Sequence, residues 1–130
     1  MSTLDPQEFS TQWLTAWNAH DVEAVLAHFA DDVVFSSPVA ARAIPGSRGV
    51  IRGKDALRGY WTHALGLVPD LRFELLGVYT GVWSIVINYR NQRGGLVNEV
   101  LVFDDDGLVS EGHGTYAADD RPAGIPATTG

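Results

Sequence analysis

Cysteine is absent from the 130-residue chain, and methionine occurs once. No disulfide can staple the fold, and no thiolate is available as zinc ligand or nucleophile. Positive charge is scarce as well. Nine Lys and Arg stand against sixteen Asp and Glu, a formal net charge of −7. Nucleic acids and anionic membranes both need a basic face, so neither is expected as a partner. Long apolar runs are also missing. The longest uncharged stretch, Leu75 to Tyr89, contains Gly77, Thr80, Gly81, Ser84 and Asn88, and reads as two strands and a turn rather than a membrane span. The opening residues, Met1 to Pro6, show no basic segment leading an apolar one. No signal peptide is expected, and the cytoplasm is the default compartment.

What is present describes a globular chain. Hydrophobic residues make up 45% and charged residues 19%, too apolar for disorder. The length suits one domain with a core and room for a pocket. Asp5, Pro6 and Glu8 mark a helix start. Phe9, Trp13, Ala16, Trp17 and His20 then recur at spacings of three and four. Asp21 caps a second, shorter helix striped by Val22, Val25, Leu26 and Phe29. Val33 to Phe35 reads as a short strand ending at Pro38. Residues 38–52 are rich in Pro and Gly and read as a loop or lid, with a short strand at Val50-Ile51. A third helix runs from about Lys54 to Val68, stopped by Pro69. The remainder is β: Leu71–Tyr79, Val82–Asn91, Leu96–Asp104 and Leu108–Tyr116. Residues 1–116 form the expected domain, and 117–130 a flexible tail.

Turns set register, and register decides which side chains share a face. Two-residue turns at Thr80-Gly81, Gly94-Gly95 and Asp106-Gly107 place Leu71, Phe73, Leu75, Val86, Leu101, Phe103 and Tyr116 on one face. Asn88, Arg90 and Glu99 fall among them, with Arg90 opposite Glu99 and Gly112 and Gly114 alongside. This face is taken as the inside. A buried carboxylate and guanidinium must pair; on a solvated face the same two residues would be an ordinary cross-strand contact. A three-residue last turn would bring His113 inward in place of Gly114. The opposite face carries Leu76, Val78, Trp83, Ile85, Ile87, Val100 and Val102, a patch large enough to suggest a second copy of the chain. His20, His28, His63 and His113 lack metal-ligand spacing, so no metal is expected.

Several local motifs carry a resemblance. They are Trp17-Asn18-Ala19-His20-Asp21, Leu26 with Phe29-Ala30-Asp31-Asp32-Val33, Ile51-Arg52-Gly53-Lys54-Asp55-Ala56-Leu57, and Val102-Phe103-Asp104-Asp105-Asp106-Gly107-Leu108-Val109. Together, over residues 8–116, the chain resembles the nuclear transport factor 2-like superfamily, in its SnoaL-like polyketide cyclase and ketosteroid isomerase branch. The resemblance implies an α+β fold: a cone-shaped, cystatin-like curved sheet, mixed or antiparallel, wrapped by three N-terminal helices. It also implies an apolar pocket in the mouth of the cone, no cofactor, and dimers packed through the outer sheet face. Steroid isomerases carry a carboxylate base directly before the proline that follows the first strand; here Ser37 precedes Pro38. Their helical tyrosine donor is replaced near Trp13. Glu99 matches the position of their protonated acid donor, a carboxylic acid with a raised pKa.

The combined reading is a pocket for a small apolar or polycyclic molecule. The enzyme reading is an isomerase, a cyclase or an epoxide hydrolase-like protein, with Glu99 as the candidate catalytic acid or base and Arg90 as its orienting partner. Trp13, Trp17, Phe35, Ser37, Trp61, Phe73, Asn88, Leu101, Gly112, Gly114 and Tyr116 are the candidate substrate contacts. The rival reading is a non-catalytic binding or dimerisation module of the same fold.

Overall fold

A computed structural model describes residues 5–118. Residues 119–130, most of the expected tail, lie outside the described residues. In chain order the elements are α1 (Pro6–Asn18), α2 (Val22–Leu26), β1 (Phe29–Ser36), α3 (Pro38–Ala43), β2 (Val50–Arg52), α4 (Lys54–Leu67), β3 (Glu74–Thr80), β4 (Ser84–Arg90), β5 (Leu96–Phe103) and β6 (Val109–Tyr116). The strands form one sheet in the order β2-β1-β6-β5-β4-β3. Among the described residues only the β1–β6 pair is parallel. The architecture is the expected α+β arrangement, a curved open sheet with helices packed on one face.

The helix starts follow from local chemistry. The Asp5 carboxylate accepts the N–H groups of Gln7 and Glu8, and Asp21 accepts that of Ala24. The segment expected as a loop contains a fourth helix, α3. Ser37 caps it by accepting the Val39 N–H at 3.1 Å, and Pro38 occupies its first turn. The glycines that suggested a loop lie beyond that helix. Phe9, Trp13 and Trp17 of α1 and Leu57, Tyr60 and Trp61 of α4 press the buried faces of the helices onto the sheet.

The last hairpin keeps its expected register in the strand bodies, Leu101 opposite Gly112 and Glu99 opposite Gly114. The middle hairpin does not. Arg90 pairs with Leu96 and Ile87 with Glu99, so five residues, 91–95, form the loop instead of two. The cause is Asn91. Its side-chain oxygen accepts the N–H groups of both Arg93 and Gly95, its own N–H donates to the Gly95 carbonyl, and Gly94 takes a positive φ of 81°. The change reverses the facing of β4. Ile85, Ile87 and Tyr89 point inward and are buried, whereas Asn88 and Arg90 point outward. Arg90 lies 3.9 Å from Glu74 and donates to the Gly94 carbonyl; Asn88 donates to Asn98. The expected Arg90–Glu99 pair is therefore not formed. The first hairpin is longer too, with Thr80 opposite Ile85 and an irregularity between Leu75 and Gly77.

Candidate active site

A cavity of about 540 Å³ opens between α1, α4 and the concave sheet face. That volume suits a small organic molecule. Its walls are aromatic. Trp13 and Trp17 come from one face of α1, Trp61 from α4, Phe29 and Phe35 from β1, and Phe73 from the segment before β3. Trp17 meets Trp61 edge-on at 4.9 Å, and Phe73 lies 4.2 Å from Tyr89 between ring centres. Edge-on and tilted contacts of this kind fix ring positions beyond simple burial. Phe73 is also held through its backbone. Asn18, at the end of α1, donates to the Phe73 carbonyl at 2.9 Å and accepts its N–H at 2.7 Å. His20 lies 2.9 Å from the Leu71 carbonyl. The Trp17–Asp21 motif thus lines the cavity, clamps its rim and caps the next helix.

Glu99 is the cavity's one carboxylate among its described lining residues. It projects from mid-β5 and is 8% exposed. Among the described residues no cation lies within ion-pair distance of it. Its partner is Tyr89, whose hydroxyl donates to Oε1 at 3.0 Å. Burial pushes the Glu99 carboxyl up to about 7; the Tyr89 hydrogen bond and the charge of His113 behind the sheet pull the other way and lose. Three phenols surround this carboxyl. Burial pushes Tyr60 up to about 12, and raises Tyr89 and Tyr116 as well. Hydrogen bonding with Ser37 partly offsets the rise at Tyr60 and Tyr116. All three remain proton donors at neutral pH. The absence of a side chain at position 114 makes the space: a Cβ there would sit 3.3 Å from Glu99 Oε1 and 3.6 Å from Ser37 Oγ.

Of the residues singled out from sequence, Trp13, Trp17, Phe35, Ser37, Trp61, Phe73, Glu99 and Tyr116 line the cavity, and Gly114 backs Glu99. Leu101 is fully buried in the core, and Gly112 is packed under Leu101 and Phe35. Arg90 and Asn88 are on the other side of the sheet. Sequence reasoning missed Tyr60, Tyr89 and Arg42. Tyr60 falls on the apolar stripe of α4 with Leu57 and Trp61, a pattern that reads as core. Tyr89 was lost to the wrong hairpin register, and Asn91 was the signal that would have corrected it. His113 also lies outside, bonded to Ser36 and Glu111.

An α+β cone with an aromatic cavity and a buried carboxyl defines the class. The SnoaL-like domain model matches residues 10–129, and the chain belongs to that family. A SnoaL-like protein of unknown function from Burkholderia thailandensis is 41% identical, with a TM-score of 0.82 over 86% of this chain and 93% of that one. A protein of unknown function with a cystatin-like fold from Methylobium petroleophilum shares 17% identity, with a TM-score of 0.69 over 95% and 84% of the two chains. A candidate isomerase of the SnoaL-like family from Agrobacterium tumefaciens shares 16%, with a TM-score of 0.68 over 86% and 97%. No curated protein matches the chain. No helix among the described residues is long and apolar enough to cross a membrane.

Proposed function

We propose that the chain is an acid–base enzyme that moves a proton on a small, mostly apolar carbonyl compound held in the aromatic cavity. The observation that carries this reading is Glu99, buried in the cavity wall, bonded to Tyr89, and titrating near neutrality. A base with a pKa near the working pH combines the right protonation state with proton affinity. Glu99 would take the proton from the carbon beside the carbonyl and return it elsewhere on the substrate. Tyr60 or Tyr116 would donate to the oxygen that gains charge. Removing one such donor typically costs about 10²–10³ in rate. Arg90 has no part in this scheme.

Deuterium uptake is the test. A panel of small cyclic ketones and enones, incubated with protein in heavy water, should exchange the protons beside the carbonyl for at least one member. The rate should rise with pH to a plateau, with its midpoint about 7, the Glu99 value. The Glu99→Gln protein should fold and exchange nothing. Background rates across the whole panel, or full activity in Glu99→Gln, would overturn the reading. Ser37, standing directly before Pro38 where steroid isomerases carry their base, favours the second reading, a non-catalytic binding module; that reading gains if the parent protein binds members of the panel without exchanging their protons.

The proposal extends to a homodimer through the outer sheet face. Ile85 and Ile87 point into the core and drop out of the expected patch. Val100 and Val102 remain. Val86, expected on the inner face, joins them together with Tyr79, Val86 pairing with both Tyr79 and Val100, and Trp83 is 45% exposed. Analytical ultracentrifugation should give a dimer for the parent and a monomer for Val100→Arg. A monomeric parent at micromolar concentration would remove this proposal.

A further inference from the structure

We propose that the cavity's ligand is a two-part molecule: a ring system against the tryptophans, and a neutral, hydroxyl- or amide-bearing arm that runs past Gln92 into a neighbouring polar groove. The inference rests on the preceding reading of the cavity as a small-molecule site, and adds a second subsite and the chemistry of what fills it.

The groove lies between the segment that leads into β3 and the β4–β5 loop. Its volume is about 550 Å³, close to that of the cavity. The two spaces share a wall, because Phe73, Asn91 and Gln92 line both. Beyond that wall the lining changes character. The cavity is aromatic, whereas the rest of the groove is Asp70, Arg72, Glu74 and Arg90. Two acids stand with two guanidiniums, so the groove has no net charge. Arg90 is already engaged: it lies 3.9 Å from Glu74 and donates to the Gly94 carbonyl. A charged arm would meet like charges as well as opposite ones. An apolar arm would strip water from charged groups and return no hydrogen bonds. A neutral arm that both donates and accepts can use every kind of partner present.

The shared wall says where the arm crosses. Phe73 is fixed by its two hydrogen bonds to Asn18 and by its ring contact with Tyr89. Asn91 is committed to its own loop, accepting from the N–H groups of Arg93 and Gly95. Gln92 is different. Its side-chain oxygen is buried and has no hydrogen-bond partner among the described residues. Nearly all buried polar groups in proteins are paired. An unpaired acceptor in the wall between two cavities therefore marks the place where the ligand supplies the donor. A hydroxyl or amide N–H on the arm is that donor.

Four 2-naphthyl ethers that differ only in the arm test the inference by isothermal titration calorimetry. They end in a methyl group (2-ethoxynaphthalene), a hydroxyl (2-(2-naphthyloxy)ethanol), a carboxylate (2-naphthyloxyacetate) and an ammonium (2-(2-naphthyloxy)ethylamine). The hydroxyl arm should bind about fivefold tighter than the methyl arm, or better, as one buried acceptor gains its partner. Neither charged arm should match it. Gln92→Leu should erase the difference and leave 2-ethoxynaphthalene affinity unchanged, with circular dichroism checking the fold. NMR of the parent protein locates the arm independently of that variant. The Gln92 side-chain amide signals, assigned by through-bond correlation, should shift with the alcohol and not with 2-ethoxynaphthalene. Equal binding of the hydroxyl and methyl arms, tighter binding of a charged arm, a preference that survives in Gln92→Leu, or Gln92 signals that ignore the alcohol would overturn the inference while the cavity reading stands. If none of the four binds, the cavity reading falls and takes this inference with it.

Discussion

Two environments compete at Glu99. Burial disfavours its charged form, and the Tyr89 hydroxyl favours it. Burial wins, and the carboxyl titrates at about 7 instead of 4.5. Because the folded pKa is raised, the folded state binds the extra proton between those two values. The contribution to stability is fully present below about pH 4.5, declines as the pH rises, and is gone above about 7. The shift corresponds to on the order of 3 kcal/mol. Urea unfolding between about pH 5 and 8 should therefore show the parent losing stability relative to Glu99→Gln, which has nothing to ionise there. Parallel curves for the two proteins would mean that Glu99 is not desolvated. The neighbouring glycine belongs to the same balance. At position 114 a methyl group would sit 3.3 Å from the carboxylate oxygen, so Glu99 would have to shift by a few tenths of an ångström to make room for it.

At the scale of elements, some of this was written plainly in the sequence and some was not. The caps Asp5 and Asp21 announced α1 and α2, because a short acidic side chain before an apolar stripe has few other uses. Trp13, Trp17 and Trp61 were legible as pocket aromatics because they fall on the apolar stripes of the two longer helices. Glu99 was placed inward through an expected two-residue turn at Asp106-Gly107; the loop in fact spans residues 104–108, and a bulge between Val102 and Phe103 restores the expected strand-body register. Arg90 and Asn88 were misplaced because a Gly-Gly pair looks like a two-residue turn. The actual loop is built by Asn91, whose side chain competes for the backbone N–H groups that such a turn would leave in line. One wrong turn length reversed a whole strand, hiding Tyr89 and promoting Arg90. Helix α3 was missed because the glycines of residues 46–49 outweighed the Ser37-Pro38 start just ahead of them.

For the whole molecule, topology explains why the site is where it is. The parallel β1–β6 contact brings Phe35 beside Gly112, and so sets Ser37 close to Gly114 and Glu99. The α1 and α4 helices then close aromatic surface over a sheet whose middle strand carries one acid. The family shares this cone, and its chemistry lies in which polar groups line it. In this chain those groups include Glu99, three tyrosines, Ser37, Asn91, Gln92 and two exposed arginines. The central claim is that Glu99 is a proton-transfer group poised at neutral pH by burial. Carbon-13 NMR of the glutamate side-chain carboxyls, titrated with pH and assigned by loss of one signal in Glu99→Gln, measures this without any substrate. The account predicts a midpoint of about 7 for that carboxyl; a midpoint at the ordinary value of 4.5 would contradict it.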